Sequence, residues 1–122
     1  MIERRVLSFK FAFEGIGYVL RSQPNAWIHA LITLAVIVMA IWLNVDLGEW
    51  AILIITMVIV WVAEMANTAI EAFVDIISPE YRPEAKTVKD VFAGAVLISA
   101  IGAAIVGILV LGPPLLERLS KG

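Results

Sequence analysis

Apolar positions dominate this chain in three long stretches, and the polar positions fall between them or at one end of them. Ala26–Val45 (AWIHALITLAVIVMAIWLNV) holds one histidine and meets no formal charge until Asp46. Trp50–Ile77 opens with an uncharged run to Ala63 and continues as a mixed segment, WVAEMANTAIEAFVD from Trp61 to Asp75. Val91–Leu111 carries no charge at all. About 20 helical residues cross a hydrocarbon core of roughly 30 Å. The first and third stretches meet that length directly, and the second meets it if its polar end emerges at the interface. Lipid offers backbone groups no hydrogen-bond partner, so each stretch is predicted to be a helix.

The segments between them punctuate the pattern. Asn44–Glu49 (NVDLGE) reads as a short acidic turn, and Ser78–Pro83 (SPEYRP) has prolines that stop one helix and can start the next. Gly112-Pro113-Pro114 is expected to close the third span and leave a short tail. Before the first span, Glu3–Ser22 places Phe9, Phe13, Ile16 and Leu20 at spacings of three and four among Arg4, Arg5, Lys10, Glu14 and Arg21. That is the pattern of an amphipathic helix lying on a membrane surface. The predicted architecture is therefore an all-α membrane protein in a single domain over residues 1–122. It has a surface helix at about 3–22 and spans at about 26–45, 50–77 and 91–111, the helices bundling in a homo-oligomer.

Composition agrees: 61% of the 122 residues are hydrophobic, above the soluble norm. A net charge of −2 gives no case for nucleic acid as a partner. The absence of cysteine excludes disulfides, thiol nucleophiles and thiolate metal sites, and a single histidine excludes zinc held by several imidazoles. No cleavable signal peptide is read at the N-terminus. Basic residues cluster before Trp27 (Arg4, Arg5, Lys10, Arg21) and in 78–90 (Arg82, Lys86, Lys89), and the first loop has none. By the positive-inside rule the N-terminus and the 78–90 segment are expected in the cytoplasm. The polar end of the second span then faces the compartment that holds nucleotides.

On that end, Glu64, Glu71 and Asp75 fall within about 40° of one another on a helix, with Asn67 about 60° from Glu64. Three carboxylates in one column repel unless cations or protons compensate them. Oxygen ligands of this kind suit Mg²⁺, which bridges readily to phosphates. The plain alternative is a solvated helix face, against which stands the apolar remainder of the segment: Ala66, Ala69, Ile70, Phe73 and Val74. Lys86 and Asp90, four apart, read as a surface pair. Lys89 is the better candidate to hold a phosphate against the carboxylates. Trp27 reads as part of an interfacial aromatic belt, and His29 as an interfacial histidine more readily than a proton shuttle. Ala95, Ser99, Ala103 and Gly107 form a row of small residues suited to close helix packing. No Walker or protein-kinase motif is present.

EMANTAIEAFVD (64–75), AKTVKD (85–90) and AGAVLI (93–98), with FAFEGI (11–16) and QPNAWIH (23–29), resemble the integral-membrane lipid kinases of bacteria, the prokaryotic diacylglycerol kinase and undecaprenol kinase family. The resemblance covers nearly the whole chain. It implies ATP-dependent phosphorylation of a lipid alcohol, with a slight lean towards undecaprenol over diacylglycerol. It implies a homotrimer in the bacterial inner membrane with a cytoplasmic active site. Glu64 would be the general base, and Asn67 and Glu71 would orient and ligate Mg²⁺. Lys89 would contact the transferring phosphoryl group, and Asp75 and Asp90 would complete the nucleotide site. Gln23 stands where family members carry a further glutamate ligand; its carboxamide oxygen can ligate but supplies no charge. The competing readings are a small ion or proton conductor, which predicts carboxylates spread across the membrane depth, a non-catalytic membrane adaptor, and a family member inactivated at Gln23.

Overall fold

The computed structural model describes residues 1–122 as four helices and no strand: α1 (Ile2–Ser22), α2 (Pro24–Trp42), α3 (Leu47–Ile77) and α4 (Pro83–Lys121). Helices α2, α3 and α4 are each long and apolar enough to cross a membrane. α3 packs along α4 as an antiparallel hairpin, and α2 and α1 lie more loosely against it.

Each junction follows from its residues. Gln23 precedes Pro24, and proline disfavours the helical region for its predecessor. Gln23 is accordingly extended (φ −117, ψ 112), breaking α1 from α2 within one residue. α2 ends three residues short of the expected Val45. Asn44 there takes a left-handed conformation (φ 52), which a short polar side chain tolerates better than most. Its backbone N–H donates to the Ile41 carbonyl at 3.2 Å and that of Val45 to Ala40 at 3.3 Å, the paired bonds that finish a helix around such a residue. Two residues on, Asp46 caps α3: its Oδ1 accepts from the Glu49 N–H at 2.8 Å, and Glu49 Oε1 accepts from the Asp46 N–H at 3.4 Å. This reciprocal box starts α3 at Leu47 rather than Trp50. Pro83, at the first position of α4, starts that helix well before Val91.

The expected stop at Gly112-Pro113-Pro114 is not made, and α4 runs on to Lys121. Proline inside a helix removes a backbone bond and crowds the carbonyl four residues back. Tertiary contacts offset that cost here. Leu115 packs on a core cluster of Ala40, Leu43, Leu53 and Leu111, and the Arg118 guanidinium lies 4.9 Å from the centre of the Trp42 ring. The small-residue row also differs from expectation. A β-carbon added at Gly107 would meet nothing within 4 Å, because Gly107 faces a cavity of about 230 Å³ between α2, α3 and α4. The apolar core thus sits at the α2–α3 turn. The polar residues lie at the opposite end of the hairpin.

Candidate active site at the polar end of α3

Glu64, Asn67, Glu71 and Asp75 share one face of α3, and their exposure rises along it. Glu64 is 2% exposed and Asn67 8%, Glu71 is half-buried, and the Asp75 side chain is 66% exposed. The face runs from a closed interior to open surroundings. About 16 Å of helix rise separates its ends.

The three carboxylates of the column each meet a side chain from elsewhere in the chain. The partners are His29 of α2 for Glu64, Gln23 of the α1–α2 junction for Glu71 and Lys89 of α4 for Asp75. Glu64 Oε2 lies 3.4 Å from His29 Nε2 on α2. Glu71 accepts two amide N–H groups, from Gln23 Nε2 at 3.1 Å and from Asn67 Nδ2 at 3.3 Å. Asp75 Oδ1 meets Lys89 Nζ of α4 at 2.6 Å. The extended backbone before Pro24 is what turns Gln23 towards α3. Lys89 reaches Asp75 because Pro83 fixes the register in which α4 begins. Lys86 and Asp90 form the expected exposed pair at 2.5 Å, one turn apart. Thr68 is buried but spends its hydroxyl on the Glu64 carbonyl at 2.9 Å, an ordinary bond inside a helix.

Asn67 Oδ1 is buried without any hydrogen-bond partner. A buried carbonyl-type oxygen left alone costs about 1–3 kcal/mol, so an unpaired acceptor beside Glu71 and Gln23 invites a cation or donor. No group of three or more acidic or imidazole side chains converges anywhere in the chain. The available donors are instead one carboxylate and two carboxamides. Such oxygens fit a hard divalent ion that takes most of its counter-charge from phosphates, once the amides turn their oxygens inwards.

His29, read from the sequence as an interfacial histidine, stands beside the polar face. Its imidazole reaches Glu64 and stacks edge-on to Trp61 of α3, the ring centres 6.3 Å apart. The Trp61 Nε1–H in turn donates to Thr33 Oγ1 of α2 at 3.0 Å. In sequence, Thr33 and His29 stand four apart on one face of α2, and nothing there says what lies opposite. Lys89 is brought to Asp75 and not to Glu64.

Comparison with known proteins fits this arrangement. Residues 10–111 match the model of the prokaryotic diacylglycerol kinase family. A diacylglycerol kinase of Synechocystis sp. is 41% identical over 115 residues, 93% of this chain. The chain spans 66% of that relative's length. An undecaprenol kinase of Bacillus subtilis is 34% identical over 114 residues, 93% of each chain. A diacylglycerol kinase of Escherichia coli K12 is 35% identical over 104 residues, 80% of this chain and 85% of that one. With a match that takes in α2, α3 and most of α4, including every residue of the polar face, the chain belongs to the prokaryotic diacylglycerol kinase family, a family of membrane lipid kinases.

Proposed function

We propose that this lipid kinase moves the γ-phosphoryl group of ATP to the hydroxyl of a lipid alcohol, diacylglycerol or undecaprenol, at the polar end of α3. The observation that carries this reading is the exposure gradient along that face, from buried Glu64 to open Asp75. A water-soluble nucleotide enters from the exposed end, and a lipid hydroxyl is presented from the buried one. The hydroxyl oxygen attacks the γ-phosphorus, the bond to the β–γ bridging oxygen breaks, and the hydroxyl proton passes to the Glu64 carboxylate. Burial excludes water, which would otherwise compete as the nucleophile.

Phosphoryl transfer asks the protein mainly for positioning and for neutralisation of spread charge. Lys89 is assigned to the phosphates, with Asp75 ordering it and Asp90, paired to Lys86 in the same helix, completing the polar network. Asn67, Glu71 and Gln23 would hold Mg²⁺, which when bound draws charge from the phosphate oxygens. Gln23 makes the protein's share of that site a single negative charge, so the ion arrives with the nucleotide. In one chain Lys89 stands a helix length of about 16 Å from Glu64. Association of chains, or a nucleotide laid along the face, is needed for both to serve one transfer; the homotrimer that the family resemblance implies would supply such association. The cytoplasmic side of the bacterial inner membrane suits the basic residues around α1 and the α3–α4 loop. A conductor would need polar groups through the membrane depth, whereas between Trp50 and Ala63 α3 carries no charge.

The test is phosphoryl transfer from labelled ATP with Mg²⁺, offering both alcohols in parallel to the detergent-purified protein. Label should enter a lipid, and Glu64→Gln should lower the rate by about 10²–10⁴-fold. Absence of label in every lipid alcohol from an intact oligomer would refute the reading.

A further inference from the structure

We propose that His29 is a positioning residue for Glu64. Resting on the lipid-kinase reading above, it holds one carboxylate oxygen so that the other is presented to the lipid hydroxyl. Glu64 is almost wholly buried, and a carboxylate in that setting needs a donor to fix its rotamer. Among the side chains around it, Nε2 of His29, at 3.4 Å from Oε2, is the group able to donate. With a proton on Nε2, a small approach of the imidazole would let it donate to Oε2 and leave Oε1 for the substrate.

The imidazole is itself held. Trp61 lies edge-on to it at 64°, and Trp61 is anchored through its indole N–H on Thr33. The four side chains alternate between α2 and α3, so Thr33, Trp61, His29 and Glu64 tie the loosely packed α2 to the catalytic face. No other charged group faces His29. The wall that α4 offers it is Ala93, Val96, Leu97 and Ala100. With 15% of its side chain exposed, His29 stands between the carboxylate and apolar cavities of about 230 and 320 Å³ that it helps to line. It is therefore the one polar side chain that lines both of these cavities and also reaches Glu64.

His29 is the chain's single histidine, so ¹⁵N-histidine labelling yields one set of imidazole signals, free of assignment. Those signals should show a proton on Nε2 and should move on Glu64→Gln. His29→Leu should lower kcat by about 10²-fold with the KM for ATP unchanged, the cost of a misplaced reacting group. His29→Gln keeps an N–H donor of similar reach and should restore most of the lost kcat. Imidazole signals indifferent to Glu64→Gln, or a folded His29→Leu protein with wild-type kcat, would overturn the inference. So would equal loss in the Leu and Gln variants. A wild-type protein that phosphorylates no lipid would instead refute the kinase reading, and the imidazole signals would still decide whether His29 holds Glu64.

Discussion

At the scale of single residues, the polar face of α3 is a set of separately partnered carboxylates, with Asn67 Oδ1 left without a partner, rather than one acidic cluster. Glu71 is held by two amides, Asp75 by Lys89, and Glu64 by His29. The two lysines in the first turns of α4 differ in exposure, 58% for Lys86 and 38% for Lys89, and in what they meet. Lys86 pairs within its own helix, while Lys89 crosses to α3. An exposed pair within one helix contributes only about 0.3–0.5 kcal/mol. Lys86→Ala should thus leave transfer nearly unchanged. Lys89→Ala removes charge that the phosphates would use, and kcat/KM for ATP should fall by about 10²-fold. Equal losses in steady-state assays of the two variants would argue against the assignment of Lys89. Of these residues, the stripe was legible from helical spacing, while the choice of Lys89 over Lys86 leaned on the family resemblance. His29 was not, because helical periodicity says which face of α2 it occupies but not what stands opposite.

At the scale of elements, capping chemistry decides where the helices begin and end, and hydropathy does not. The three spans were recognisable from their apolar runs, yet each helix starts before its run because a proline or a cap sits upstream. Asp46 joins α2 to α3 through its box with Glu49. Asp46→Ala should lower stability by about 1 kcal/mol, read as a reduced midpoint in thermal or denaturant unfolding in detergent, with phosphoryl transfer intact at low temperature. The far end of α4 gives the opposite lesson. Consecutive prolines after a glycine are a strong local stop signal, but Leu115 on the core and Arg118 over Trp42 carry the helix on past them. Local sequence states a preference of a few kcal/mol, and packing can exceed it.

At the scale of the whole molecule, little of the chain is buried within itself: 10 of 122 residues, seven of them hydrophobic, four of which cluster at the α2–α3 turn. Large apolar side chains cover every helix, among them Phe9, Phe11 and Phe13 on α1 and Ile98, Ile105 and Ile108 on α4. Lipid accepts such surfaces, and so do further copies of the chain. Glu64 and Lys89 stand well apart in one copy, so the reading of three associated chains is directly testable. Cross-linking or mass measurement in mild detergent should give a species of three subunits, and dilution to monomer should abolish transfer together with the trimer. Activity that persists in a stable monomer would remove the need for association.

The sequence by itself determined the class of molecule, because burying about 20 consecutive apolar residues in water is not an option and helices are what lipid permits. It also determined the α3 stripe, since a helix repeats its faces every 3.6 residues wherever it sits, and the motifs on it placed the chain in its family. Tertiary structure alone decided which groups meet. Gln23 on Glu71, Lys89 on Asp75 and His29 on Glu64 lie 48, 14 and 35 positions apart in sequence, and their contact depends on how helices are turned and how far they approach. Local chemistry sets the direction of each helix face. Only packing between helices sets what that face confronts.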